Sequence, residues 1–389
     1  MLRETSQNPS LRGELIGLDE LRGIRPQWDD LCARAAEENV YYTPPYARAL
    51  FDNLPSEDVG IAVVWQQQRL VALLPVVPSS FSLSPLAPSQ AWCTPYTFSC
   101  TPLLDHELAQ DAARALLDLL ARSSRHEWYF PTLNVDGPVC LALTAALNEA
   151  GIPFDFSANF ARAALTHGLS FNDYLDHHLP ARRRKDLQRN RRRLEALGPV
   201  AHRAYSSGEE LDRAVENFLS IEASGWKGEQ GTALASAPHT KRFAQQAFAN
   251  GGSRVDLLTL NGVAIAASVV MFAGRVGFTV KCAYDERYRS YSAGLLLELE
   301  VVRSLLEEGW ADRLDGATAG SHVIDELWPD RTRVADLFLS FTSVQPEFRL
   351  ATLKRWNDIK REVKEAIRRE PIGTYVKRLQ PRLRHWQVG

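Results

Sequence analysis

Cysteine is scarce in this chain, and none of it is spaced for a metal. Five of the 389 residues are cysteine. They stand at 32, 93, 100, 140 and 282, an odd set without a CxxC pair. That argues against zinc and against a disulfide framework, and for a reducing compartment. No apolar run reaches the ~18 residues of a membrane span; the longest lies around Val263 to Ala273. The opening residues, MLRETSQNPSLRG, lack a hydrophobic signal core, so the cytoplasm is the expected location. A strong net charge is also missing: the balance is −2, which speaks against a chain devoted to nucleic acid. Behind that balance, acidic groups prevail up to residue 165 and basic groups after it. Such a split would orient an anionic ligand toward the second half, or hold two domains together.

What is present is enough apolar residue, 45%, to bury a large core in two domains. The stretch 276–316, VGFTVKCAYDERYRSYSAGLLLELEVVRSLLEEGWADRLDG, organises the rest. Val276 to Ala283 is β-branched and aromatic, a half-buried strand. From Gly294 to Gly309 the spacing of Leu296, Leu299, Val302, Leu305 and Leu306 predicts a helix, and Arg313 to Gly316 starts another strand. Ahead of the helix, the turn Ser292-Ala293-Gly294 leaves backbone N–H groups and the positive helix end free to face an anion, with Arg289 as a charged contact. An ordinary strand-to-helix turn has the same look.

The other elements repeat an order. Helices over Pro26–Glu38 and Tyr46–Phe51 precede a hairpin, Ile61–Trp65 and Leu70–Val77. A strand over Ala91–Thr101, a helix over His106–Arg122, a strand over Trp128–Leu133 and a helix over Val139–Ala150 follow. Residues 200–316 run through the same sequence of types, a degenerate internal repeat. The first half's counterpart of the glycine-ended turn, CTPLLDHELA, has no glycine and two acids, so an anionic cofactor belongs in the second half only. Later come a strand over Val334–Phe341 and a helix over Phe348–Arg369, with Leu353, Trp356, Ile359 and Val363 as its inward stripe, then a basic tail.

Between the halves, eight of the twelve residues 182–193 are basic, on a helix whose first turn Pro180 suits and which ends at Gly198-Pro199. Leu187, Leu194 and Leu197 give it a narrow apolar stripe. One reading is an arm for nucleic acid or an anionic membrane surface; the other is a solvated bracing helix. No aromatic residues interleave the arginines, which argues against stacking on single strands. Ser207 to Ser224 is an amphipathic helix that runs into GWKGEQGTAL.

These features together resemble the Gcn5-related N-acetyltransferase (GNAT) superfamily. Its loop Arg/Gln-x-x-Gly-x-Gly/Ala binds the pyrophosphate of coenzyme A, and RSYSAG (289–294) is a reduced form of it. AYDERYRSYSAGLLL resembles more specifically the CelD-type branch, which is related to the FemA/FemX peptidyl transferases with two GNAT-like halves in one chain. The resemblance implies an α/β fold of tandem GNAT-like halves, mixed sheets flanked by helices, divided as 1–165, 166–345 and a helical and basic end, 346–389. It implies acetyl-CoA or a longer acyl-CoA as co-substrate, without a metal, at Lys281, Cys282, Ala283, Arg289, Tyr291, Ser292, Ala293 and Gly294. It implies Glu222, Trp226 and Lys227 at the acceptor, with a core position as the other reading of Trp226. Asp315, His322, Asp285 and Tyr284 are the candidates for proton transfer. In LDGATAGSHVIDELW, Asp315, Gly320 and Trp328 match the branch, whereas its Tyr-Lys pair falls on Ile324-Asp325; His322 is a candidate substitute for the lysine. The activity implied is N-acyl transfer to a small amine, such as an amino sugar or amino-lipid, with residues 182–193 as a contact to the inner membrane surface. Aminoacyl transfer from charged tRNA and a non-catalytic subunit are the alternatives.

Overall fold

In a computed structural model, which describes residues 11–56, 58–78, 87–123, 125–249, 252–318 and 323–369, one mixed sheet of 13 strands runs through both halves. The first half opens with β1 (Leu11–Ile16) and helices α1 (Leu18–Gly23), α2 (Arg25–Ala33) and α3 (Pro44–Asn53). The hairpin β2 (Gly60–Gln66) and β3 (Arg69–Val77) follows, then β4 (Ser89–Ala91), β5 (Leu103–Leu104), α4 (Ala109–Ala121), β6 (Glu127–Asn134) and α5 (Pro138–Glu149). A long strand, β7 (Phe154–Thr166), leads through α6 (Phe171–His178) and the arginine-rich α7 (Ala181–Glu195) into the second half.

There the order recurs. Strand β8 (Val200–Tyr205) precedes α8 (Gly208–Ser224), α9 (Trp226–Glu229) and α10 (Pro238–Phe248). The hairpin β9 (Ser253–Leu260) and β10 (Val263–Ala273) leads to β11 (Val276–Tyr284), α11 (Ala293–Glu308) and β12 (Arg313–Asp315). Strand β13 (Asp330–Ser340) and helix α12 (Pro346–Arg369) close the described chain.

The sheet order is β1-β2-β3-β4-β6-β13-β7-β12-β11-β10-β9-β8, with β5 on β3. Read inward from its two ends, it matches itself. Each half has an antiparallel outer strand, a hairpin and one parallel step, β4 on β6 and β11 on β12. At the centre the halves exchange strands: β13 lies against β6, and β7 lies against β12. β7 and β13 then pair with each other from Asp330↔Ala164 to Leu339↔Phe154. The fold is thus mixed α/β in two GNAT-like halves, joined through a common sheet.

Strands β2, β3 and β10 read as nearly continuous apolar runs because helices cover both sheet faces. On one face, Phe218, Phe243 and Phe248 of α8 and α10 pack with Val255 and Val269. On the other, Leu296, Val302 and Leu305 of α11 pack with Leu258, Ile265 and Val270.

Several expectations change. The strand expected over Ala91–Thr101 is confined to Ser89–Ala91. The segment after it instead folds around Asn39, whose buried side-chain amide donates to the carbonyls of Ser99 and Thr101. On α12, Leu353 is buried, but Trp356 and Ile359 are exposed, so the inward stripe is shorter than its spacing suggested. Leu197 is exposed, while Leu187 and Leu194 are buried. Gly320, His322 and the basic tail lie outside the described residues. Among the described residues no helix is long and apolar enough to cross a membrane.

Candidate active site

The parallel step between β11 and β12 is short. Val276, Gly277 and Phe278 face Arg313, Leu314 and Asp315, and the pairing stops there, while β10 follows β11 to Tyr284. Val269 faces Lys281 and Val270 faces Thr279, so Val280 is the extra residue of a bulge, a device that re-aims a strand near a site. Beside the far end of β11 opens a cleft of about 350 Å³. Its walls include Glu222, Trp226 and Lys227, then Cys282, Ala283 and Tyr284, and finally Arg289, Ser292, Ala293, Gly294 and Glu298.

Those residues cover most of the set expected for cofactor and acceptor. At the head of α11, Ser292 adopts the left-handed conformation, φ 56° and ψ 41°, which costs a side-chain-bearing residue on the order of 1–2 kcal/mol. Its N–H bonds Arg289 O, and its C=O accepts from Leu296 N at 3.0 Å. This turn leads into α11, whose first N–H groups have no intrahelical acceptor. Gly294, by contrast, has no positive φ. A Cβ placed on it would stand 3.3 Å from the Tyr284 ring, so its small size serves a close approach rather than a special backbone angle.

Helix α7 braces this turn. Asn190 Nδ2 donates to Ser292 Oγ at 3.1 Å, and Arg193 Nη1 donates to Ser290 O at 3.2 Å. The Arg193 guanidinium also lies 4.9 Å from the Tyr291 ring centre. Tyr291 is therefore a support of the loop and does not line the cleft. Arg183, Arg184 and Arg191 are paired with Glu326, Asp176 and Glu300. Much of the basic run is thus committed within the chain.

The opposite wall is a charged cluster. Glu222 is buried; Lys227 Nζ lies 3.2 Å and Lys281 Nζ 3.7 Å from its Oε1. Its Oε2 accepts the Leu234 N–H at 2.8 Å. Burial holds the Lys281 ammonium below the usual lysine range, against the pull of Glu222. Lys281 also lies 5.4 Å from the ring centre of Tyr96, so the first half packs against this charged cluster. Trp226 is 52% exposed, which excludes the core reading.

Two proton-transfer candidates are held elsewhere. Asp315 pairs with buried Arg162 of β7 at 2.7 Å and accepts the Ala317 N–H at 2.8 Å. Asp285 caps the turn after β11 and is clasped by Arg287, whose bonds hold its carboxyl below the usual range. Neither lines the cleft. Cys282 does, with burial first and Glu298 second raising its thiol to about 11, which keeps it protonated and inert.

Glu298 was absent from the expected set. Burial raises its carboxyl to about 7, with Ser268 opposing and Asp256 adding to the shift. Its sequence signal was available: a lone acid on the apolar face of LLLELEVVRSLL. The counterpart turn in the first half carries its own anion. Asp105 there is fully buried and bonded to Arg34 and Arg69.

A strand opened from its parallel neighbour, with a left-handed turn at the head of the next helix lining the same cleft, is the arrangement of a GNAT-type acyltransferase. Residues 181–320 match the family model described as acetyltransferase (GNAT) domain, so this segment of the chain is a GNAT domain. Its fold is similar to that of FemX, at 11% identity and a TM-score of 0.55, over 87% of this chain and 99% of that one. It is also similar to the C-terminal domain (DUF2156) of a protein described as a lysylphosphatidylglycerol synthetase from Agrobacterium fabrum. That match has 11% identity and a TM-score of 0.52, over 86% of this chain and 95% of the other. Among curated proteins none matches the sequence.

Proposed function

We propose that the chain is an acyl-CoA-dependent N-acyltransferase working by direct transfer in its second half, with residues 1–165 as the degenerate half and 166–345 as the catalytic one. The observation that carries this is the opening of β11 from β12 beyond Phe278, at whose end the left-handed turn of Ser292 aims the head of α11 into the same cleft. Backbone N–H groups of residues 293–295 and the Arg289 guanidinium would hold the pyrophosphate of coenzyme A. A backbone donor from Lys281–Ala283 would face the thioester oxygen. The acceptor enters from the side of Trp226, Lys227 and Glu222. An amino sugar or amino-lipid in a polysaccharide or lipid pathway, as the CelD-type resemblance implies, suits this mixed aromatic and charged wall. The surroundings would be cytoplasmic, with residues of α7 that make no ion pair among the described residues, such as Arg182, facing an anionic surface.

Calorimetric titration with acetyl-CoA and longer acyl-CoAs tests this reading directly. Micromolar binding lost in Gly294→Val is the expected result. Absence of binding would favour a non-catalytic subunit, and tight, salt-sensitive tRNA binding would favour aminoacyl transfer.

A further inference from the structure

The carboxylates around the cleft differ in what occupies their oxygens. Glu222 has both engaged, one by two lysines and the other by the Leu234 N–H. Glu286 stands at the mouth, accepting the Trp226 N–H at 3.3 Å. Asp285 and Asp315 are tied to arginines outside it. Glu298 is the exception. It is 3% exposed and lines the cleft. Its Oε1 accepts from Ser268 Oγ at 2.9 Å, while its Oε2 has no hydrogen-bond partner among the described residues. A buried carboxylate oxygen without a donor is costly to maintain, so such an atom calls for a partner that arrives with a ligand.

We propose that Glu298 is the proton-exchanging group of the reaction, a carboxylate that contacts the bound acyl thioester and takes the proton released by the acceptor amine. The proposal rests on the acyltransferase reading above. The amine nitrogen attacks the thioester carbon; the C–N bond forms and the C–S bond breaks, its electron pair leaving on sulfur. The proton lost by nitrogen passes to Glu298 Oε2, directly or through one water, and from there to the sulfur or to solvent. Amine and thioester become amide and thiol, with nothing left over. The surroundings suit a group that gains and loses a proton near neutrality. Ser268 on β10 donates to it, and the neutral Cys282 thiol on β11 shares the cleft wall. Asp256 on β9 faces it from behind, paired with Arg254 and His202. Lys281 and Lys227 lie beyond Cys282, occupied by Glu222.

The test uses the full chain and Glu298→Gln, which keeps the side chain's shape. A hydrophobic carbodiimide should label Glu298 in the wild type, seen by peptide mass spectrometry, with labelling that fades as pH rises through about 7. Coenzyme A should protect it. Thiol release from acetyl-CoA, with glucosamine or water as acceptor, should climb through the same pH. Glu298→Gln should lower that rate at least about 100-fold and remove the step. Labelling that coenzyme A leaves unchanged although calorimetry shows it bound would overturn the assignment and leave the acyl-CoA reading standing. So would a Glu298→Gln rate within about threefold of wild type, or wild-type protein that binds acetyl-CoA but releases no thiol at any pH. Failure of the wild type to bind coenzyme A at all would remove both.

Discussion

The side-chain amide of Asn190 bonds the hydroxyl of Ser292 at 3.1 Å, so the arginine-rich helix holds the one residue of the turn ahead of α11 that has left-handed backbone angles. The contact joins two segments that the sequence presents as unrelated, a basic run and a glycine-ended loop. It also accounts for asparagine at position 190 within an otherwise arginine-dominated stretch.

Asn190→Ala should weaken coenzyme A binding about fivefold to tenfold, the worth of one hydrogen bond. Ser292→Gly should restore most of it, since glycine adopts the left-handed conformation without help. Calorimetry on the single and double variants reads this. A double variant as weak as Asn190→Ala would mean that Asn190 acts other than through the turn.

At Gly294 the critical neighbour is Tyr284. A valine there must displace the ring, which a Cβ alone would approach to 3.3 Å, and so must narrow the cleft from both sides. Gly294→Val should abolish measurable acyl-CoA binding, and Gly294→Ala should weaken it less. Arg289→Ala should cost roughly 1.5–3 kcal/mol of binding, one charge-assisted contact. Binding to Gly294→Val at wild-type strength would place the cofactor elsewhere.

Asp315 is expected to matter for stability rather than proton transfer. Asp315→Ala leaves Arg162 buried without its carboxylate, and the loss should be about 3–5 kcal/mol by urea unfolding. Replacing both residues by apolar ones of similar volume should recover much of that. If Asp315→Asn folds with wild-type stability yet loses transfer, Asp315 has a chemical role after all.

Glu37 gives a pH signature for the fold. Burial raises its carboxyl from 4.5 to about 7. A raised folded value means its contribution is full below about 4.5 and is lost as pH climbs through about 7. Glu37→Gln should therefore stabilise the protein by an amount on the order of 1–3 kcal/mol at pH 8 and little at pH 4. Thermal melts at the two pH values check this, and an equal effect at both would contradict the assignment.

The second half was legible because its signals are local. The β-branched run ending at Tyr284, the small-residue turn and the leucine spacing of α11 lie within one stretch, and observed element ends fall within a residue or two of those expected. Glu298 was legible in principle, an acid where the helical period demands an apolar residue. Glu222 gives no such sign of its two lysines, because Lys281 reaches it from a strand sixty residues away. Nor could Arg162 announce Asp315, since their meeting depends on which strand of which half takes the central place in the sheet. Trp356 has the spacing of a core residue, but periodicity says which face a side chain takes and not whether anything covers that face.

That central exchange sets an order on how the molecule can be made. During synthesis β6 leaves the ribosome with one edge reserved for residues 330–340, which emerge some two hundred residues later. Until then the first half has all its own sequence but not its finished sheet, and the unpaired edge is open to wrong partners. Completion waits for the far end of the chain, so a nascent or truncated polypeptide ending before Asp330 should depend on chaperones to a degree that the full-length protein, once closed, does not.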